Sequence, residues 1–183
     1  MKSGVRALGI AESFSEDRST IAGAVVRADR VVDGLAFASC TVGGTDATDS
    51  VVQLLDDLDR PDVRYVLVAG IAPAWYNVLD LPTIHEAADR PVLSVSFEES
   101  EGLEPALRES FDGAGLTRRL TTYHAQPDRR EVALEAETVY VRSVGCSEST
   151  AADVVRAFTP EGGRPEPLRV ARIAARAGEG YRE

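Results

Sequence analysis

Hydrophobic and polar residues alternate along this chain with two distinct periods. Residues 5–11 alternate small and large apolar side chains, and residues 21–28 and 31–42 are further apolar runs; each reads as a strand. The Ala28-Asp29-Arg30 junction is short enough for a hairpin, which predicts that the second and third strands are antiparallel neighbours. Gly43-Gly44-Thr45 breaks the pattern. Over residues 46–58 the period changes: Val51, Leu54, Leu55 and Leu58 form one apolar helical stripe, ended by Pro61. Residues 65–69 are continuously apolar, as in a central strand buried on both faces.

A loop carrying Pro73, Trp75 and Tyr76 follows over residues 70–77, then a short helix over 83–89 and a strand over 92–97. Leu103, Ala106, Leu107 and Phe111 make another helical stripe. Residues 117–130 read as irregular and arginine-rich, and residues 132–144 as a strand broken near 135–137. Two helices close the chain, with stripes Ala151, Val154, Val155, Phe158 and Val170, Ile173, Ala174, Ala177, separated by Glu161-Gly162-Gly163. Three early antiparallel strands followed by β-α-β units give the order of a ribonuclease-H-like α/β fold, a mixed sheet flanked by helices. A flavodoxin-like sheet alternates from its first strand, and this chain does not.

The 183 residues suffice for a single domain over 1–183, with a tail expected to fray from about residue 178. No apolar run approaches the ~18 residues of a membrane span, and the first residues carry no apolar leader, so a cytoplasmic protein with no membrane partner is expected. Thirty acids against twenty bases give a net charge of −10, and Lys2 is the only lysine. Such a surface suits molar salt, where a Debye length of about 3 Å screens self-repulsion; this predicts a halophile. At that salt counterion release contributes little to nucleic-acid binding, so an acidic chain is not excluded from DNA. Cys40 and Cys146 lack metal-ligand spacing and read as buried thiols, and His85 and His124 are isolated, which argues against zinc. There is no Gly-x-Ser-x-Gly elbow, and Gly43-Gly44-Thr45-Asp46 lacks the Lys-Ser/Thr of a P-loop.

Four segments carry a family signal: Ala7-Leu8-Gly9-Ile10-Ala11-Glu12; Val42-Gly43-Gly44-Thr45-Asp46-Ala47-Thr48; Val66-Leu67-Val68-Ala69-Gly70-Ile71 with Tyr76-Asn77-Val78-Leu79-Asp80; and Pro165-Glu166-Pro167-Leu168-Arg169-Val170-Ala171. Together they resemble the DUF99 (UPF0215) family, archaeal relatives of endonuclease V. The resemblance implies a ribonuclease-H-like fold and metal-dependent cleavage of DNA at deaminated bases such as deoxyuridine or inosine, a DNA-repair activity. It also implies Mg²⁺ or Mn²⁺ held by carboxylates from the first strand, the start of the first helix and the central strand, positioning water and stabilising the leaving oxygen. The family pattern has Gly-Ile-Asp-Asp on the first strand, where this chain has Gly9-Ile10-Ala11-Glu12, and Asp-Gly on the central strand, where it has Ala69-Gly70. Asp46 keeps an acid at the third position. A methyl group ligates no metal, so weak or absent metal binding and an impaired nuclease are expected.

The remaining candidates each have two readings. Glu12 points to the opposite strand face from Ala11 and substitutes for it only if the strand end bulges; Asp80 would have to enter from the loop. Asp46 is either a retained metal ligand or a helix N-cap with Asp49 behind it. Trp75 and Tyr76 either stack on an extruded base or cover the sheet as core, and Asn77 either meets a ligand or holds a turn. Arg118, Arg119, Arg129 and Arg130, with Tyr123 and His124 between them, are either phosphate contacts or partners for the chain's own acids. Arg169, Arg172 and Arg176 complement the last helix dipole. The rival function is a non-enzymatic protein-interaction module using the last two helical stripes.

Overall fold

The structure, a computed structural model, describes residues 1–160 and 163–182. Seven strands form one mixed sheet in the order β3-β2-β1-β4-β5-β7-β6. They are β1 (Arg6–Ser15), β2 (Arg18–Arg27), β3 (Val32–Thr41), β4 (Val63–Ala69), β5 (Val92–Ser96), β6 (Arg130–Ala133) and β7 (Thr138–Val144). β1, β2 and β3 pair antiparallel, as the short junction predicts, while β1, β4 and β5 run parallel. The helices are α1 (Ala47–Leu58), α2 (Pro73–Tyr76), α3 (Leu81–Ala88), α4 (Glu104–Ser110), α5 (Gly113–His124), α6 (Glu148–Ala157) and α7 (Glu166–Arg182).

The small-and-large alternation of β1 has a direct structural cause. Leu8 and Ile10 face α1 and α3, in a cluster with Val51, Leu54, Leu81 and Ile84. Ala7 and Ala11 face the other side, where Ala7 meets Leu168 and Ala11 meets Ala171 of α7. α7 approaches so closely that a Cβ on Gly9 would lie 2.2 Å from both the carbonyl carbon and oxygen of Pro167. Large side chains thus fill one face, while small ones let a helix backbone sit on the other. Each fully buried leucine or isoleucine contributes about 1.5–3 kcal/mol.

The structure refines the sequence reading at three elements. Residues 113–124, expected in part to be irregular, form α5; two glycines and three threonines dilute its periodicity. The break near 135–137 is a turn that pairs β6 with β7, closed by the Leu134 N–H donating to the Glu137 carbonyl at 2.8 Å. The buried face of α7 is Leu168, Ala171 and Ala175, and Ile173 is 55% exposed, so the stripe lies one step from where hydropathy put it. α7 also continues past Gly178 to Arg182, where fraying was expected. Of the expected separator Glu161-Gly162-Gly163, residues 161 and 162 lie outside the described residues.

Because the atoms facing Gly9 are backbone, Gly9→Ala forces α7 away from the sheet. The substitution is expected to destabilise the fold by about 3 kcal/mol, the upper end for overpacking. In urea unfolding this appears as a lower midpoint with an unchanged slope.

Candidate functional site

At the carboxyl end of the parallel strands, one buried amide ties three segments together. Asn77 is fully buried. Its Oδ1 accepts the Ala47 N–H at 2.9 Å, at the first turn of α1, while its Nδ2 donates to the Asp46 carboxylate at 2.7 Å and to the Thr41 carbonyl at 2.9 Å. Asp46 occupies the N-cap position of α1 but makes no capping bond with its side chain. Its carboxylate turns back to the end of β3, accepting the Thr41 N–H at 3.1 and 3.2 Å and the Thr41 hydroxyl at 2.9 Å. Asn77, thirty residues away in sequence, therefore supplies the acceptor that Asp46 was expected to supply. Burial pushes the Asp46 carboxyl up, but the bonds from Asn77 and then Thr41 outweigh it and hold the group below its ordinary value.

The segment leading into Asn77 is strained. Ala74, Trp75 and Tyr76 all adopt left-handed backbone, with φ of 47°, 56° and 58°, so α2 is a left-handed turn rather than an α-helix. Each such non-glycine residue costs on the order of 1–3 kcal/mol and persists only when its surroundings over-determine it. Here the Gly43 N–H donates to the Ala74 carbonyl at 2.7 Å, and Arg119 Nε donates to the Tyr76 carbonyl at 3.1 Å. Arg119 also binds the carbonyls of Gly43 and Gly44, the latter at 2.9 Å, and stacks over Phe111 at 3.7 Å. The clamped turn leaves Trp75 55% exposed, while Tyr76 is half-buried with its ring edge-on to Phe111 at 6.3 Å. Trp75 is thus not core.

The positions expected to bear metal ligands fall on two faces. Ala11 and Ala69 share the face covered by α7, by alternation from Ala7 and Leu67, with Ala11 buried and Ala69 exposed. Glu12 lies on the opposite face and accepts the Ser19 hydroxyl at 2.7 Å. β1 pairs with β2 without interruption from Arg6 to Ser15, so no bulge turns Glu12 toward the α7 side. Asp80 caps α3, accepting the Thr83 N–H at 3.3 Å. Cys40 stands near Asp46 and Glu12; burial first, and then those two charges, push its thiol up to about 12, which makes it an inert core group. Among the described residues no three His, Cys, Asp or Glu side chains are grouped to hold a metal ion. The donor set does not fit a divalent cation: methyls stand at two positions and the acids are committed elsewhere.

The four arginines do not make one patch. Arg119 is 5% exposed and directs its donors at carbonyls, which removes it as a phosphate contact. Arg129 binds the carbonyls of Glu98 and Ser100 and lies over Tyr140, and Arg130 pairs with Glu148 at 3.0 Å at the far sheet edge. Arg118 is exposed and forms no ion pair among the described residues; it lines a polar cleft with Thr45, Thr48, Asp80 and Thr83. His124 ends α5 and pairs with Glu104, and His85 bonds the Arg90 carbonyl. Cys146 is half-buried rather than buried. Sequence reasoning missed the Asn77 bridge and the inward Arg119. Neither has a periodic signal; the one available sign was that Asn77 follows directly on an aromatic pair.

Asn77→Ala would leave the Ala47 N–H, the Thr41 carbonyl and the Asp46 carboxylate short of partners, an expected loss of about 2–3 kcal/mol at neutral pH. Asp46 has a depressed folded-state pKa. Its contribution is complete above the ordinary carboxylate value and is lost as pH falls through the lower folded value. The stability gap between wild type and Asn77→Ala should therefore narrow on acidification, as read by urea melts at neutral pH and below the carboxylate range.

Comparison with known proteins agrees with this architecture. Residues 3–178 match the family model described as Endonuclease dU. A UPF0215 protein from Pyrobaculum calidifontis is 34% identical over 92% of this chain and 93% of its own length. One from Thermococcus kodakarensis is 32% identical over 100% of this chain and 98% of its own. Among solved structures, a protein of unknown function from Archaeoglobus fulgidus aligns with a TM-score of 0.84 at 22% identity, over 94% of this chain and 97% of its own. Endonuclease V from Ciona intestinalis, in complex with DNA containing an inosine, aligns with a TM-score of 0.66 at 13% identity, over 98% and 87%. The fold is that of endonuclease V, ribonuclease-H-like as expected, and the chain belongs to the Endonuclease dU family, whose curated relatives are UPF0215 proteins.

Proposed function

We propose that this chain is an endonuclease-V-like, nucleic-acid-associated protein that holds DNA at deaminated bases and cuts it weakly or not at all. The observation that carries the reading is the pairing of two features at one end of the sheet. Alanines stand at two positions where the resemblance requires carboxylates, yet a costly left-handed turn still presents Trp75 to solvent. Strain of this kind, held by over-determining surroundings, clusters at ligand clamps and active sites. An exposed indole stacks on any base, and Arg118 beside the cleft, with no ion pair among the described residues, offers a guanidinium for phosphate. The nuclease family and fold support nucleic acid as the partner, and the described residues include no helix long and apolar enough to cross a membrane.

The rival reading, a protein-interaction module built on the last two helices, loses one of its two motivating stripes: Ala151, Val154, Val155 and Phe158 are all buried in the core, while on α7 Ile173 is 55% exposed and Ala177 is exposed.

The test uses deoxyuridine- and deoxyinosine-containing oligonucleotides in molar salt with Mn²⁺. Binding without cleavage is the expected result. Trp75→Ala should weaken binding by about 1–3 kcal/mol, roughly five- to 150-fold, through lost stacking. Arg118→Ala should lower affinity evenly across sequences and reduce the salt slope by about one. Robust cleavage abolished by Glu12→Ala or Asp80→Ala would refute the inactivity, and unchanged binding in both Trp75→Ala and Arg118→Ala would refute the interface.

A further inference from the structure

The carboxyl end of β4 is an open notch on the α7 face. Ala69 is exposed there, and a Cβ on Gly70 would meet nothing within 4 Å. On one side stands α7. A helix turns about 100° per residue, so Leu168, Arg172, Ala175 and Glu179 lie within about 60° of one another on one flank. Leu168 packs in the cluster that holds Ala7 and Leu67, and Glu179 accepts the Ser13 hydroxyl, so this flank follows β1 toward its carboxyl end. Arg172, between the two, therefore stands beside Ala11, and the Ile10–Val68 pairing sets Ala11 next to Ala69. Arg176 follows one turn on. Both arginines are exposed and make no ion pair or hydrogen bond among the described residues. The helix dipole does not account for them, because α7 runs to Arg182 and the dipole acts within the last turn.

A third arginine faces them across the notch. Val95 is the β5 partner of Ala69, and Phe97, two residues further, carries the Arg164 guanidinium 4.2 Å from its ring centroid. Stacking holds the guanidinium plane and leaves its N–H edge free. Arg164 forms no ion pair or hydrogen bond among the described residues. Most other arginines are committed within the chain: Arg6, Arg60 and Arg130 to carboxylates, Arg90, Arg119 and Arg129 to carbonyls. The acids nearest the notch are Glu179, held by Ser13, and the exposed Glu98 and Glu99 beyond Phe97.

We infer that this notch is a phosphate seat that works without a metal, in which Arg164, Arg172 and Arg176 hold one backbone phosphodiester of a nucleic-acid strand above Ala69. The inference rests on the nucleic-acid reading above and says where the backbone crosses the sheet. A guanidinium fork matches two phosphate oxygens at once. Carboxylates at positions 11 and 69 would repel that anion unless a cation bridged them; the methyls of Ala11 and Ala69 do not, so arginines neutralise it directly. A contact bond of about 2.8 Å is shorter than the Debye length of about 3 Å at 1 M, so molar salt does not remove it. Arg118 stands at the same end of the sheet on the opposite face, and a strand passing over the strand ends meets both.

The experiment is fluorescence anisotropy with two single strands of equal length, one containing deoxyuridine and one an abasic backbone, over a salt series descending from molar, with chelator and with Mn²⁺. The substituted positions are exposed, and native circular dichroism checks each variant. The double variant Arg172→Ala, Arg176→Ala is expected to bind both strands about tenfold more weakly, the loss of a charged hydrogen bond, and to lower the salt slope by about one. Ala69→Asp, which puts a carboxylate in the seat, should weaken both strands as far in chelator and in Mn²⁺. Trp75→Ala should weaken only the base-containing strand. If Trp75→Ala and Arg118→Ala lose affinity while the arginine pair and Ala69→Asp keep wild-type affinity and slope, the seat is wrong and the nucleic-acid reading stands. Tighter binding by Ala69→Asp in Mn²⁺ would mean that the notch takes a cation, and would overturn the seat as well. A wild type that binds neither strand at any salt sinks both.

Discussion

The end of this sheet is organised by a side-chain amide. Asn77 has no access to water, so each of its polar atoms needs a protein partner, and it finds them on two other segments, the end of β3 and the start of α1. Its Oδ1 fixes where α1 begins; its Nδ2 fixes where β3 ends and holds the Asp46 carboxylate. Asn77 in turn is placed by the left-handed turn before it, and that turn is clamped by Arg119 and Gly43. Removing any one part leaves buried donors or acceptors unpaired. In a low-dielectric interior such a network holds as a unit.

This dependence accounts for the fate of Asp46. Methyl groups stand at Ala11 and Ala69. The Asp46 oxygens accept bonds from Thr41 and Asn77, and those donors hold its carboxyl below the ordinary value. Glu12 and Asp80 have likewise found local partners, a serine hydroxyl and a helix N-terminus. On the α1 side, what stays open to solvent is Trp75 and the cleft beside Arg118.

Much of the fold was legible in the sequence because it rests on periodicity. The alternation in β1 encodes a close helix on one face and a filled core on the other, and Gly9 shows how literal that code is. The α1 stripe and the apolar run of β4 behave likewise, and the opposite facing of Glu12 and Ala11 follows from strand geometry alone. What escaped was non-periodic. α5 was obscured by Gly113, Gly115 and its threonines, although Leu116, Leu120 and Tyr123 keep helical spacing. Arg119 reads as a surface charge until the helix carrying it is known to face Gly43 and Gly44. The left-handed turn contains no glycine, so no residue announces it; its cause is tertiary.

The central claim is that oxygen donors do not converge on one point at the carboxyl end of β1 and β4. The most direct measurement is a Mn²⁺ titration followed by the paramagnetic resonance of the free ion, with wild type and Asp46→Asn in parallel. The account predicts that the added manganese stays free in both, with no saturable site at one ion per chain. A stoichiometric site in wild type that disappears in Asp46→Asn would contradict it.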